Sequence, residues 1–426
     1  MDAKVFLLGS CGLLLRIALL SQSSSEWLSR RIEVSTPLSS WRRVVEGITL
    51  LEHGYSPYEG DMFHQSPLLL AFFHGIWHLP YAVKAVFLIL DVLVSYALYK
   101  VAVIYQTSML DDEKKENENF AKDVEAIQYK PWHNIGSAVA LAYWLNPFAI
   151  VTCAAHTTTA LTTFTLAWCV LAAMRGRLVS ACLALALASH LDPYMIVLIV
   201  PVALLVSQKS TLSIFKSIVA CLIFTALVSA LLLWASFCHS GSWDFLRSTY
   251  GFVFTVPDFT PNVGIFWYLF TEMFEHFRTF FLWVFQLHVF FYALPLGMRL
   301  WRHPFFLLYL LSHVAGVFKS YPSVGDTALP LTLLFTFRHL FKYMRNMLVV
   351  SVMFLASIIL MPTFWYLWIT AGSGNANFFY SGTLAYNLAH ILLMSGSLTA
   401  FLRREFDLKH GTAPLVDGKP AAVLLE

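Results

Sequence analysis

The stretch AGSGNANFFY, residues 371–380, holds the residues best suited to gripping a polar headgroup. Asn375 and Asn377 each bring a donor and an acceptor, which is what sugar hydroxyls and phosphate oxygens need. Gly372 and Gly374 permit a tight turn before them. Phe378, Phe379 and Tyr380 follow, suited to acyl chains or a sugar face. The same residues also fit a turn in which Asn caps a helix and the aromatics anchor it at a membrane surface.

Secondary candidates lie in 250–277. In VPDFTPN, Pro257 and Pro261 prevent a long helix, so Asp258 and Asn262 are placed on a loop or re-entrant hairpin, free for a glycan or engaged in turn caps. In EMFEHF, Glu272 and His276 are four apart and would share one helical face. Zinc helices carry two His at that spacing plus a Glu, so no metal is expected, and a polar stripe toward substrate or another subunit is the reading preferred. Arg42, Arg43 and Glu46 follow Trp41 on an expected amphipathic helix from Ser39 to Leu51, where Arg could meet phosphates. Lys319 and Asp326 bracket a span junction, where a salt bridge or a snorkelling lysine explains them. No Ser/His/Asp or Cys/His constellation and no glycine-rich phosphate loop is present, so neither a catalytic residue nor a cofactor is expected.

The elements that must position these residues are membrane helices. Of 426 residues, 58% are hydrophobic and 12% charged, against roughly 25% charged in soluble domains. Too few polar groups remain to cover a water-facing surface. The net charge of +3 falls in short Lys/Arg clusters between apolar runs, a topology signal and not a nucleic-acid one. The six cysteines form no C-x-x-C pair, so neither a disulfide framework nor a zinc site is expected.

A crossing helix needs about 20 apolar residues. Candidate spans are 3–21, 85–106, 135–154, 159–174, 178–191, 194–208, 212–236, 279–299, 304–319, 326–341, 346–368 and 378–401, about twelve in all. The pair 178–191 and 194–208 flanks Asp192-Pro193 and reads as one kinked helix or two. Arg16 interrupts the first run, and no A-x-A site follows it, so it is taken as an uncleaved span. Residues 67–80 are too short to cross and read as an interfacial or re-entrant helix started by Pro67.

With both termini in the cytosol, the cytosolic segments hold more than twice the Lys and Arg of the other side, as the positive-inside rule requires. One membrane domain, 1–426, would then carry luminal loops at 22–83, 237–278 and 369–380. It would carry a charged cytosolic loop at 107–134 and a cytosolic tail at 402–426.

The runs TPLSSWRRVVEG (36–47), SPY (56–58), YGFVFTVPDFTPNVGIFWYLFTEMFEHF (250–277), FKSYPSVGD (318–326), AGSGNANFFY (371–380) and FLRRE (401–405) resemble the PIG-U family of subunits of the glycosylphosphatidylinositol (GPI) transamidase. The resemblance implies a multi-pass protein of the endoplasmic reticulum membrane. It would be partnered by a protease-like catalytic subunit and other membrane subunits, and would recognise the GPI lipid without making bonds itself. A second stretch, GYSPYEGDMFHQSPLLL (54–70), is similar to the first luminal loop of polyprenyl-phosphate-mannose glycosyltransferases. That similarity implies an all-α bundle of the glycosyltransferase-C type. The segment 30–37, RRIEVSTP, where those enzymes carry acidic catalytic residues, has Glu33 alone and no Asp-x-Asp. An active lipid-linked-sugar mannosyltransferase is therefore the rival reading, with Glu33 as its single acid.

Overall fold

The computed structural model describes residues 3–79, 81–116, 120–121, 135–210, 213–412, 415–416 and 419–420. Most of the charged loop 107–134 and the end of the tail 402–426 lie outside the described residues. Apart from a two-residue ladder pairing Leu415–Val416 with Lys419–Pro420, the described secondary structure is helical.

Each of the expected spans coincides with helical chain, but the lengths divide them. Among the described residues, five helices are long and apolar enough to cross a membrane: Ala82–Lys115, Ile214–Ser240, Glu275–Arg299, Met347–Thr370 and Ala376–His410. The span expected at 135–154 is a broken pair, Ile135–Leu145 and Pro147–Ala154, bent by 51°. Pro147 ends the first piece because it has no N–H and its ring crowds the preceding turn. Leu8–Leu19, Thr159–Met174, Leu178–Leu191, Pro193–Lys209 and Pro304–Phe318 are apolar but shorter. The run 326–341 is a short α-turn, Ala328–Leu333, followed by 3₁₀ helix, Leu334–Tyr343.

Residues 178–208 form two helical pieces. Asp192 is extended (φ −143°, ψ 104°), since a residue before proline is driven out of the helical region. Its carboxylate caps the next piece by accepting from the Tyr194 N–H at 3.2 Å. Pro67–Trp77 is the short helix expected, capped by the Ser66 hydroxyl, which accepts from Leu69 N–H at 3.2 Å. The helix expected over Ser39–Leu51 runs Trp41–Glu52. Its apolar face, Val44 and Ile48, packs with Phe63, Leu70 and Phe73 inside the molecule.

The chain forms two compact units. The first comprises 1–98 and 140–332. Small residues let its helices approach closely: Cys182, Ala203 and Cys221 form one fully packed cluster. Along Glu275–Arg299 a stripe of Phe280, Trp283, Leu287, Phe291, Leu294 and Met298 stands exposed. The spacing of three and four places it on one face, and only lipid or protein satisfies such a face. Several junctions between apolar helices meet in this unit. Thr158 N–H donates to Ser39 O at 3.0 Å and Val324 N–H to Glu33 O at 2.9 Å. Ser25 bonds to His156 at 2.9 Å, and His64 lies 2.9 Å from Ser248 O.

The second unit comprises 99–139 and 333–426. There Met347–Trp365 lies along Ala376–His410, so close that a Cβ on Gly382 would stand 3.0 Å from Met361. The last helix continues past the expected end at 401 to His410. Arg403 pairs with Asp407 one turn on at 2.8 Å, and Arg404 is ion-paired to Glu113.

Candidate functional site

In the second unit the helix from Met347 ends in a π-turn, Tyr366–Thr370. The chain then reverses through Ser373 and Gly374, whose N–H groups both donate to Leu367 O, at 3.0 and 3.1 Å. Gly372 takes a left-handed conformation, φ +65°, which a side chain disfavours. Asn375 is the N-cap of the last helix: its Oδ1 accepts from Asn377 N–H at 3.1 Å and from Phe378 N–H at 3.4 Å. Both asparagines are exposed, so capping leaves the Asn375 amide N–H₂ facing outward. The aromatics divide. Phe378 is half exposed and tilts on Phe364 at 5.7 Å. Phe379 is fully buried, edge-on to Trp365 at 5.5 Å. Tyr380 is half-buried.

The first unit holds the secondary candidates. Residues 256–262 are non-helical, as the two prolines require. Asp258 Oδ1 accepts from Thr260 N–H at 2.8 Å and from its hydroxyl at 2.5 Å. Its Oδ2 accepts from Arg43 at 3.3 Å. Asn262 is 1% exposed: its Oδ1 accepts from Gly264 N–H at 2.8 Å, and its Nδ2 donates to Thr260 O at 3.2 Å. Both side chains close the loop on itself. Glu272 and His276 are exposed but do not share a helical face. Helix Phe266–Glu272 ends at Met273, in an extended conformation, and Glu275 starts another helix. The i,i+4 neighbourhood expected for Glu272 and His276 exists only if the helix continues through both positions.

Sequence reasoning missed a polar cavity in this unit. Its walls come from residues 36–39, 64–69, 158–162, 190–193, 249–253 and 319–326. At one wall the Lys319 ammonium donates to Asp192 at 2.8 Å and to Asp326 at 2.6 Å. The other Asp326 oxygen accepts from Ser323 N–H at 2.7 Å and from its hydroxyl at 2.9 Å. Lys319 and Asp326 were legible as a pair seven apart. Asp192, 127 positions away, had no local signal beyond its proline neighbour. His64 stacks on Phe252 at 3.6 Å, with a carbonyl oxygen 2.9 Å from each ring nitrogen. Burial holds its pKa below the ordinary imidazole value, the carbonyl of Ser248 opposing. Burial likewise raises Tyr321, whose hydroxyl donates to Asp258 O at 2.9 Å.

Glu33 is 6% exposed and is clasped by Arg31, at 2.6 and 3.1 Å. It does not line the cavity.

Comparisons with known proteins agree with one another. The family model described as GPI transamidase subunit PIG-U matches residues 10–386. The chain is 40% identical over 440 residues to the GPI-anchor transamidase component PIGU of Homo sapiens, covering 100% of both chains. The component of the same name in Mus musculus is 40% identical over 425 residues, 96% of each. The GPI transamidase component GAB1 of Saccharomyces cerevisiae is 29% identical over 405 residues, 94% of each.

Proposed function

This chain belongs to the PIG-U family of GPI transamidase subunits, and from that premise we propose that it recognises the GPI lipid and performs no bond-making itself. The observation that carries the reading is the turn at 371–375. It sets two exposed asparagine amides beside the half-exposed Phe378 at the start of a long apolar helix. Amides at such a boundary can bond glycan or phosphate oxygens while the ring meets acyl chains. Holding the GPI amine near a protease-like partner subunit then lowers the barrier through proximity.

The topology proposed is a glycosyltransferase-C-like bundle of about twelve crossings in the endoplasmic reticulum membrane, as one membrane domain with both termini cytosolic. Loops 22–83 and 237–278 would be luminal, and 107–134 and 402–426 cytosolic. The junctions assigned to the luminal side within the first unit do touch one another, which supports that alternation. Three ion-paired acids of that unit support the non-catalytic reading. Asp192 and Asp326 share Lys319, and Glu33 is held by Arg31, so none is a free carboxylate poised as a base. The mannosyltransferase reading finds no support in the comparisons.

Replacing Asn375 and Asn377 with Ala, in cells relying on this chain, should abolish surface display of GPI-anchored reporters while the subunits still co-purify. Normal display with normal assembly would remove these positions from the recognition surface.

A further inference from the structure

The cavity of the first unit is built of groups that the fold leaves wanting partners. Gln65 is 6% exposed, and neither its Oε1 nor its Nε2 finds a partner among the described residues. A buried primary amide left this way is a standing cost to the folded state, so an occupant that bonds it is favoured. Across the space, the hydroxyls of Thr158, Thr159 and Thr162 line the wall with no protein partner among the described residues. Lys319, engaged by two carboxylates, has a third N–H to give.

Charge selects among ligands. One ammonium against two carboxylates leaves the wall net negative, which opposes a phosphate. A cation would sit beside Lys319, whose ammonium already holds one oxygen of each carboxylate. What remains is a neutral occupant that both donates and accepts, as water does and as adjacent hydroxyl groups that displace it do. Tyr250 and Tyr321 also line the cavity, their hydroxyls already engaged by His190 at 2.8 Å and by Asp258 O at 2.9 Å. The cavity is partly open and measures about 50 Å³. A cavity water needs roughly 10–15 Å³ on this measure, so the space suits a few hydroxyl groups and not a whole oligosaccharide.

We infer that this cavity is a binding subsite for the hydroxyl edge of one sugar ring. Its lining and residues 371–380 share no member, so failure of either site leaves the other standing.

The test uses the full chain in nanodiscs and a dodecyl mannoside carrying a diazirine beside its anomeric oxygen. Irradiation should label peptides from the cavity's lining segments, 36–39, 64–69, 158–162, 190–193, 249–253 or 319–326. Unlabelled dodecyl mannoside should reduce that labelling at least fivefold, and dodecylphosphocholine should not. Competition by methyl mannoside as well would identify a free saccharide as sufficient. Competition by the alkyl form alone would identify a lipid-borne one, and either result supports the subsite. Gln65→Leu should cut labelling at least fivefold without lowering the thermal midpoint, and Thr162→Val, nearly isosteric, provides the second variant should Gln65→Leu fold poorly. Equal competition by dodecylphosphocholine, labelling elsewhere only, or undiminished labelling in the folded variants would overturn the assignment.

Discussion

Arg16 donates through Nε to Asp91 at 2.5 Å, with both side chains shut from the outside. The rest of each group is also engaged. Arg16 Nη1 donates to Trp144 O at 2.7 Å and to Gly12 O at 3.2 Å. The Tyr143 hydroxyl donates to the second Asp91 oxygen at 2.7 Å. An ionised pair among apolar helices persists only when its hydrogen-bonding capacity is met this fully, which explains an arginine in the middle of the first apolar run.

Arg16→Leu should therefore strand a buried carboxylate and cost about 3–5 kcal/mol, read as a lower thermal midpoint and poor recovery in detergent. Arg16→Met with Asp91→Leu should recover most of that loss, because the apolar pair leaves no charge behind. A double variant as unstable as the single one would show that the pair does more than neutralise itself.

A close approach joins two of the runs that carry the family resemblance. A Cβ on Gly264 would stand 2.6 Å from Pro322 Cγ and 2.7 Å from its Cδ. Gly264→Ala should destabilise by about 1–3 kcal/mol through overpacking. Pro322→Ala should relieve part of that cost, giving a coupling energy in a double-mutant cycle. Additive effects would mean that the loops separate instead of clashing.

Apolar run length and proline placement were enough to locate the helices, because both act locally. Pro67 starts one helix and Asp192-Pro193 breaks another for reasons visible within a few residues. Hydropathy alone could not say that the run 326–341 would coil partly as 3₁₀ helix, or that Glu272 and His276 would be separated at Met273. The cavity was illegible for a stronger reason. Gln65, Thr162, Asp192 and Lys319 lie on four separate stretches of chain, and only packing brings them around one cavity. Asn375 was legible both as cap and as ligand; the structure shows the cap and leaves its amide N–H₂ outward.

His64 predicts a pH dependence with a definite sign. Its folded-state pKa is lowered from the ordinary value near 6.5, burial being the first cause. The neutral ring's contribution is thus complete above about pH 6.5 and is lost as pH falls below it. The thermal midpoint should drop between pH 7.5 and 5.5, and His64→Phe, which keeps the stack on Phe252, should shrink that drop. An unchanged drop would assign the acid sensitivity to other groups.

Asn375 offers the sharpest separation of architecture from recognition. Removing its Oδ1 leaves the N–H groups of Asn377 and Phe378 without their cap, a loss of about 0.5–2 kcal/mol, so Asn375→Ala alters the turn as well as the surface. Asn375→Ser keeps an oxygen for the cap and deletes the amide N–H₂. If the amide reads the glycan, Asn375→Ser should retain the thermal midpoint yet lower GPI attachment nearly as far as Asn375→Ala, because the shorter hydroxyl, with one O–H in place of two N–H, does not reach where the amide N–H₂ stood. If capping is the whole role, Asn375→Ser should restore attachment to the unmodified level. Quantifying surface GPI-anchored reporter by flow cytometry, with subunit co-purification as the control for assembly, decides between the two.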